Sequence, residues 1–403
     1  MPSASGRMHL STYEMPVKEI ILVEPGAHLQ TGHYREKLSL WVKGFRYAGW
    51  NVSVACLEEP EPGFLRDVIF RPVPHWWKRI GRLLPNRIYI PWLVFGAFFF
   101  AFRFGQRMDQ PVLGLTTSTL LPVAAARLWT STRTIPFAQI LMYGNNFEGK
   151  VLSLKRALEC TSLRCLLRAG AVIFPNTDRT RKSLLLKLKG TKSRDRVLTL
   201  YDPIYIPKTP IPLTKKEGKK ILLVPAPDTG RRCSLFHLAQ SRLMDPPDTV
   251  WIHAPGCREA DVLQARETDL KLISDIRVST DYKSIEALAE LFASATWCLI
   301  AYNPIFIHGS GLLAQSIAVG TPVLCSRFPY AEELFARFGR LGELFTFRDM
   351  DDFRRAWFTL RSWTSEQWQE FHDASRLLAE AVDAECITRK VVEYFSGSST
   401  PGE

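Results

Sequence analysis

The 403-residue chain has no cysteine pair at CxxC spacing, no zinc-finger pattern and no paired histidine ligand set. Dithiol redox motifs and the common structural zinc sites are therefore excluded. It also lacks a GxxxxGK[ST] loop and a Ser-His-Asp signature, so neither P-loop hydrolysis nor triad chemistry is expected. Residues 1–15 carry no hydrophobic segment, which argues against a secretory signal peptide and for a mobile tail. The uncharged apolar run Ile88 to Phe102 spans 15 residues and is expected to be broken by Pro91. That falls short of the ~20 residues a spanning helix needs.

What is present is a soluble, basic composition: 46% hydrophobic, 23% charged, net charge +12 and pI near 9.4. The excess of positive charge asks for an anionic partner. Phosphorylated substrates and acidic membrane surfaces rank ahead of nucleic acid, because no nucleic-acid-binding signature accompanies the charge. Cys298 and Cys325 fall inside expected buried strands, the pattern of reduced, structural cysteine in a cytoplasmic protein. The length suits two domains of ordinary size.

The most informative stretch is IHGSGLLAQSIAVGTPVLCS, Ile307 to Ser326. Ser310 is a good N-cap, Leu312, Leu313, Ile317 and Ala318 form an apolar stripe, and Gly320 suits the left-handed position that ends a helix. TPVLC then resumes as a buried strand. A Ser-Gly start to a helix presents backbone N–H groups, and the helix dipole, to an anion. An ordinary αβ unit with no ligand accounts for the same residues equally well.

Ser316, Ala318, Gly320, Thr321, Pro322 and Val323 resemble the donor-site signature of the retaining glycosyltransferases of family four, which have the GT-B fold. The family's second glutamate falls on Gln315, and its first falls near Ile307 or His308. The resemblance implies an α/β protein of two facing Rossmann-like, doubly wound domains, with a C-terminal helix returning to the first. It implies a nucleotide-sugar as co-substrate, no cofactor and no metal, and retention of anomeric configuration.

The order of elements agrees. VKEIILV, a loop, a helical stretch from Tyr34 to Gly49 and NVSVACL make a doubly wound start. VLGLTTS, TIPFAQILMYG and AGAVIFPN are read as further strands of a domain spanning residues 16–202, which RVLTLYDPI, similar to a strand of the family, closes. The prolines and the KKEGKK run of residues 203–219 mark a linker. A donor domain over 220–385 follows, with strands ILLVP, TVWIHAP, ISDIRV, TWCLIAY and TPVLC, and residues 386–403 supply the crossing helix and tail. Each half thus shows five strand-helix alternations.

The resemblance also assigns roles. Thr31-Gly32 stands where the family has its first-domain glycines, and Arg231 and Arg232 stand where a basic pair neutralises the donor diphosphate. Tyr302, His308, Gly309, Ser310, Gly311 and Leu312 would complete the phosphate and sugar pocket, with Gln315 at the ribose. His28 or His33 would place an imidazole near the reacting sugar, and Glu332 or Glu333 a carboxylate, making His33 and Glu332 the catalytic candidates. Each has a plainer reading as a solvated loop or helix-start residue. A catalytically silent scaffold of the same fold would explain the missing glutamates, and a sugar-nucleotide epimerase would instead need cleft carboxylates that the sequence does not assign.

Residues 75–107 mix Trp76, Trp77, Tyr89 and Trp92 with Lys78, Arg79, Arg82 and Arg87, followed by a very apolar helix. They would either dock a cytoplasmic, peripheral protein onto an anionic inner membrane face or fill the first domain's core.

Overall fold

A computed structural model describes residues 18–29, 33–115, 119–131, 134–141, 154–189, 193–207, 220–225, 234–241, 246–259, 262, 275–306 and 309–396. Two six-stranded sheets organise the chain. The first holds β1 (Lys18–Val23), β2 (Trp50–Cys56), β3 (Ile69–Pro72), β4 (Val112–Gly114), β5 (Phe137–Leu141) and β6 (Val172–Pro175), in the order β3-β2-β1-β4-β5-β6. The second holds β7 (Ile221–Val224), β8 (Thr249–His253), β9 (Ile276–Ser279), β10 (Trp297–Ile300), β11 (Val323–Ser326) and β12 (Gly342–Phe345), in the order β12-β11-β10-β7-β8-β9. Every ladder is parallel. Central strands such as IILV and VLCS are buried along their whole length, because helices cover both faces. Strand order reverses between β1 and β4 and between β10 and β7, which opens one crevice at the carboxyl end of each sheet.

The first sheet carries α1 (His33–Tyr47), α2 (His75–Arg82), α3 (Asn86–Met108), α4 (Leu121–Trp129), α5 (Leu154–Arg168) and α6 (Asp178–Lys187). The second carries α7 (Ser234–Ser241), α8 (Ile285–Ser294), α9 (Gly311–Ala318), α10 (Pro329–Phe338), α11 (Met350–Arg361) and α12 (Ser365–Val382). The last helix, α13 (Ala384–Phe395), returns to the first sheet, as expected. Gly44 of α1 lets it approach: a Cβ there would lie 2.2 Å from Thr388 Oγ1. Phe395 meets Trp50, and the Tyr394 hydroxyl donates to the Gly170 carbonyl at 3.5 Å. Both chain crossings run side by side, the Ile204 N–H donating to the Val382 carbonyl at 2.9 Å.

Several expectations change. Each sheet has six strands instead of five, because β3 (IFRP, none of it buried) and β12 (GELF, with Glu343) lack the apolar run that marks the others. RVLTLYDPI is not a strand; it makes two isolated bridges, Ile173 to Val197 and Ile204 to Asp383. The expected linker begins buried at Ile204, while residues 208–219 lie outside the described set. Pro91 does not break the apolar run, and α3 continues for 23 residues through it. Arg87–Met108 is thus 22 residues long and apolar enough to cross a membrane by length and composition. Its Ala97, Phe98, Ala101 and Phe102 are nonetheless buried in the first domain's core, with Phe137 and Val112.

Candidate functional site

The second sheet's crevice is built where β10 lies beside β7, with Trp297 in register with Leu222. Hydroxyls fasten the end of β10 to its neighbours. The Ala301 N–H donates to Ser234 Oγ at 2.9 Å, and the Tyr302 N–H donates to Ser326 Oγ at 2.8 Å. The Tyr302 ring is buried, stacked 4.3 Å from Phe306, and its hydroxyl accepts from Ser310 Oγ at 3.3 Å. Ser310 Oγ in turn accepts from the Leu313 N–H at 3.2 Å, so it is the N-cap the sequence led us to expect. Tyr302 therefore stands behind the turn and positions it.

Ahead of that cap the helix start is open. A Cβ on exposed Gly311 would meet nothing within 4 Å. The N–H groups of Gly311 and Leu312 head a helix whose first turn has no intrahelical acceptors for them. That is a ready anion site. Gly309, by contrast, faces the first domain: a Cβ there would lie 3.0 Å from Asn176 Nδ2 and 3.8 Å from Asp202 Oδ2. Asp202 pairs with Lys37 at 2.9 Å in a partly buried setting. Lys37, Asn176 and Asp202 thus oppose the Gly309 turn, and sequence reasoning missed all three as site residues. The Asp-Pro of RVLTLYDPI was the available signal, read only as a domain end.

Gln315 is 5% exposed, and its Nε2 donates to the Tyr205 carbonyl at 2.8 Å. One side of the amide is therefore spent on the segment joining the sheets. The free cysteines of the adjacent strands are inert: burial pushes the Cys298 thiol up to about 12.

At the first sheet's crevice, fully buried Glu24 follows β1 and accepts from the Gly26 N–H at 3.0 Å. The Tyr34 ring packs on Gly26, and burial together with the Glu24 charge raises its phenol. His28 sits in this turn with a buried Nδ1 that has no hydrogen-bond partner. His33 opens α1, but its side chain, Gly32, Arg231, Arg232 and His308 lie outside the described residues.

Glu332 lies elsewhere, exposed in a groove between α10 and α6 lined by Asp178, Lys182 and Arg337. Its neighbour Glu333 makes the contacts. Glu333 Oε1 accepts from the Asp178 N–H at 2.7 Å and Oε2 from the Arg179 N–H at 3.0 Å, capping α6 from the opposite domain. Burial raises the Glu333 carboxyl despite those bonds. Arg337 adds a 3.0 Å pair with Asp178 and a 3.1 Å bond to the Tyr201 hydroxyl. The structure thus brings Tyr302, Gly309, Ser310, Gly311, Leu312 and Gln315 to one turn and places Glu332 in a separate groove. Among the described residues, no group of three or more His, Cys, Asp or Glu side chains is placed to hold a metal.

No family model and no curated protein sequence matches this chain. Solved structures do. A glycosyltransferase from Rickettsia africae superposes with a TM-score of 0.68 at 12% identity, covering 95% of this chain and 99% of that one. The lipopolysaccharide outer core galactosyltransferase WaaB gives 0.62 at 12% identity, covering 95% and 100%. The Anabaena protein HepE, solved in complex with UDP-glucose, gives 0.59 at 13% identity, covering 94% and 99%. The fold is GT-B. Identities this low show shared architecture, and the site must speak for its own chemistry.

Proposed function

We propose that this protein transfers a sugar from a nucleotide-sugar to an acceptor held by the first domain. The observation that carries the reading is the capped, open start of α9: the Ser310 cap, the unobstructed Gly311 and the free first-turn N–H groups at the strand-order reversal. Such a start suits a diphosphate, and the HepE complex supports a nucleotide-sugar donor for the fold. Arg231 and Arg232 would add charge-assisted bonds to the same phosphates. His33 keeps its proposed catalytic role through the resemblance, as does retention of configuration, whereas Glu332, in its separate groove, is set aside. Closure of the domains would exclude water from the donor.

A silent scaffold of the same fold is the second reading, favoured by the tie between Gln315 and the Tyr205 carbonyl. A thermal-shift and turnover panel across UDP-, GDP- and ADP-sugars separates the two. Donor-dependent stabilisation with hydrolysis or transfer supports the enzyme; stabilisation without turnover supports a nucleotide-sugar-binding scaffold. No response to any donor defeats the proposal.

A further inference from the structure

We infer that the outer face formed by α2, the start of α3 and the end of α4 docks the protein onto an anionic lipid leaflet without crossing it. Charge comes first. From Val68 to Met108 the sequence contains no Asp or Glu, yet Arg79, Arg82 and Arg87 are all exposed there. Lys78 is not part of this face, being buried and paired with Glu58 at 3.4 Å.

Large apolar side chains stand among those arginines. Trp76 is 55% exposed, Leu83 85% and Trp129 77%, with Ile80 and Ile90 beside them in the same helices. Indole rings beside arginines are the chemistry of the headgroup region. The face is also held rigid. Trp77 and Trp92 stack at 4.2 Å with 4° between planes, and each indole N–H donates to the other residue's carbonyl, at 3.3 and 3.2 Å. Gly96 permits this, since a Cβ there would lie 2.4 Å from Trp77 Nε1. The exposed rings are anchored to that stack, Trp76 through Phe100 at 6.1 Å and Trp129 through Phe95 at 6.4 Å.

Crossing is a different matter. The α3 side chains that a bilayer would have to surround, Phe98 and Phe102, already pack edge-on against Phe137 of β5. Extracting them would open the core. The face therefore fits a surface, where each arginine strengthens partition by roughly fivefold. This inference stands apart from sugar transfer, and its test needs no donor.

The full chain is floated with vesicles of phosphatidylcholine alone or mixed with phosphatidylglycerol, at low and high salt. Binding is expected only to the anionic vesicles, reversed by salt and by alkaline carbonate. Arg79→Gln/Arg82→Gln/Arg87→Gln should weaken it by about a hundredfold. Trp76→Ser/Leu83→Ser/Trp129→Ser should abolish the blue shift of tryptophan emission on binding. These positions are exposed, and unchanged circular dichroism checks that both variants fold. Equal binding to neutral vesicles, no binding, wild-type behaviour of either variant, or retention through carbonate would overturn the inference.

Discussion

Gly44→Ala offers a sharp test of how the last helix joins the first domain. In a free helix, alanine in place of glycine gains about 1 kcal/mol. Here the new Cβ would sit 2.2 Å from Thr388 Oγ1 and 2.9 Å from the Ala384 carbonyl oxygen. Thr388 cannot swing aside, because it is fully buried and its hydroxyl donates to the Ala384 carbonyl at 2.7 Å. Overpacking of this kind costs about 1–3 kcal/mol and exceeds the propensity gain, so a net loss of roughly 1 kcal/mol is expected. Thr388→Ala should be mildly destabilising alone and should partly rescue Gly44→Ala, with a coupling of about 1 kcal/mol. Thermal unfolding, combined with protease release of residues 384–396, reads both effects. Stabilisation by Gly44→Ala, or strict additivity of the pair, would refute the packing of α13 on α1.

Three further outcomes follow from the seam and the site. Gln315→Glu restores the residue type of the family resembled, but it replaces a donor facing the Tyr205 carbonyl with a carboxylate at 5% exposure. It should cost about 2 kcal/mol and leave donor affinity no higher, and tighter binding at an unchanged melting temperature would contradict this. Ser310→Ala removes the cap of α9 and should cost about 1 kcal/mol while weakening donor binding; an unchanged melting temperature argues against the capping role. Glu333 has a carboxyl raised above its usual value of 4.5, so its proton-bound form is favoured in the folded state. Its contribution is full below the usual value and is lost as pH rises through the raised one. Wild type should therefore gain stability over Glu333→Gln as pH falls from 7 towards 4.5, and a flat difference across that span would remove the assignment.

Local chemistry was legible in the sequence. Ser310 and Gly320 could be read as cap and stop because each acts on its own turn, and both behave so, Gly320 at φ +83°. Alternating strands and helices gave the two-sheet architecture for the same reason. What escaped notice depends on partners distant in the chain. Gln315 is tied to a carbonyl 110 residues away, and Glu333 caps a helix 155 residues earlier. Asn176 and Asp202, the latter paired with Lys37, meet Gly309 only once the two domains face each other. The role of Pro91 misled because tertiary support outweighs a single proline near the start of a long apolar helix. The strands β3 and β12, IFRP and GELF, each carry a charged residue and no continuous apolar run to register as a buried strand.

If the start of α9 holds the donor diphosphate, calorimetric titration of nucleotide-sugars into wild type and Gly311→Asp will register it. Asp at the first position of a helix suits the dipole, and its side chain enters open space, so the fold should be retained. Wild type should bind at least one of UDP-, GDP- or ADP-glucose, and Gly311→Asp should bind it at least about tenfold more weakly at an unaltered melting temperature. Equal affinity in the two proteins would contradict the assignment.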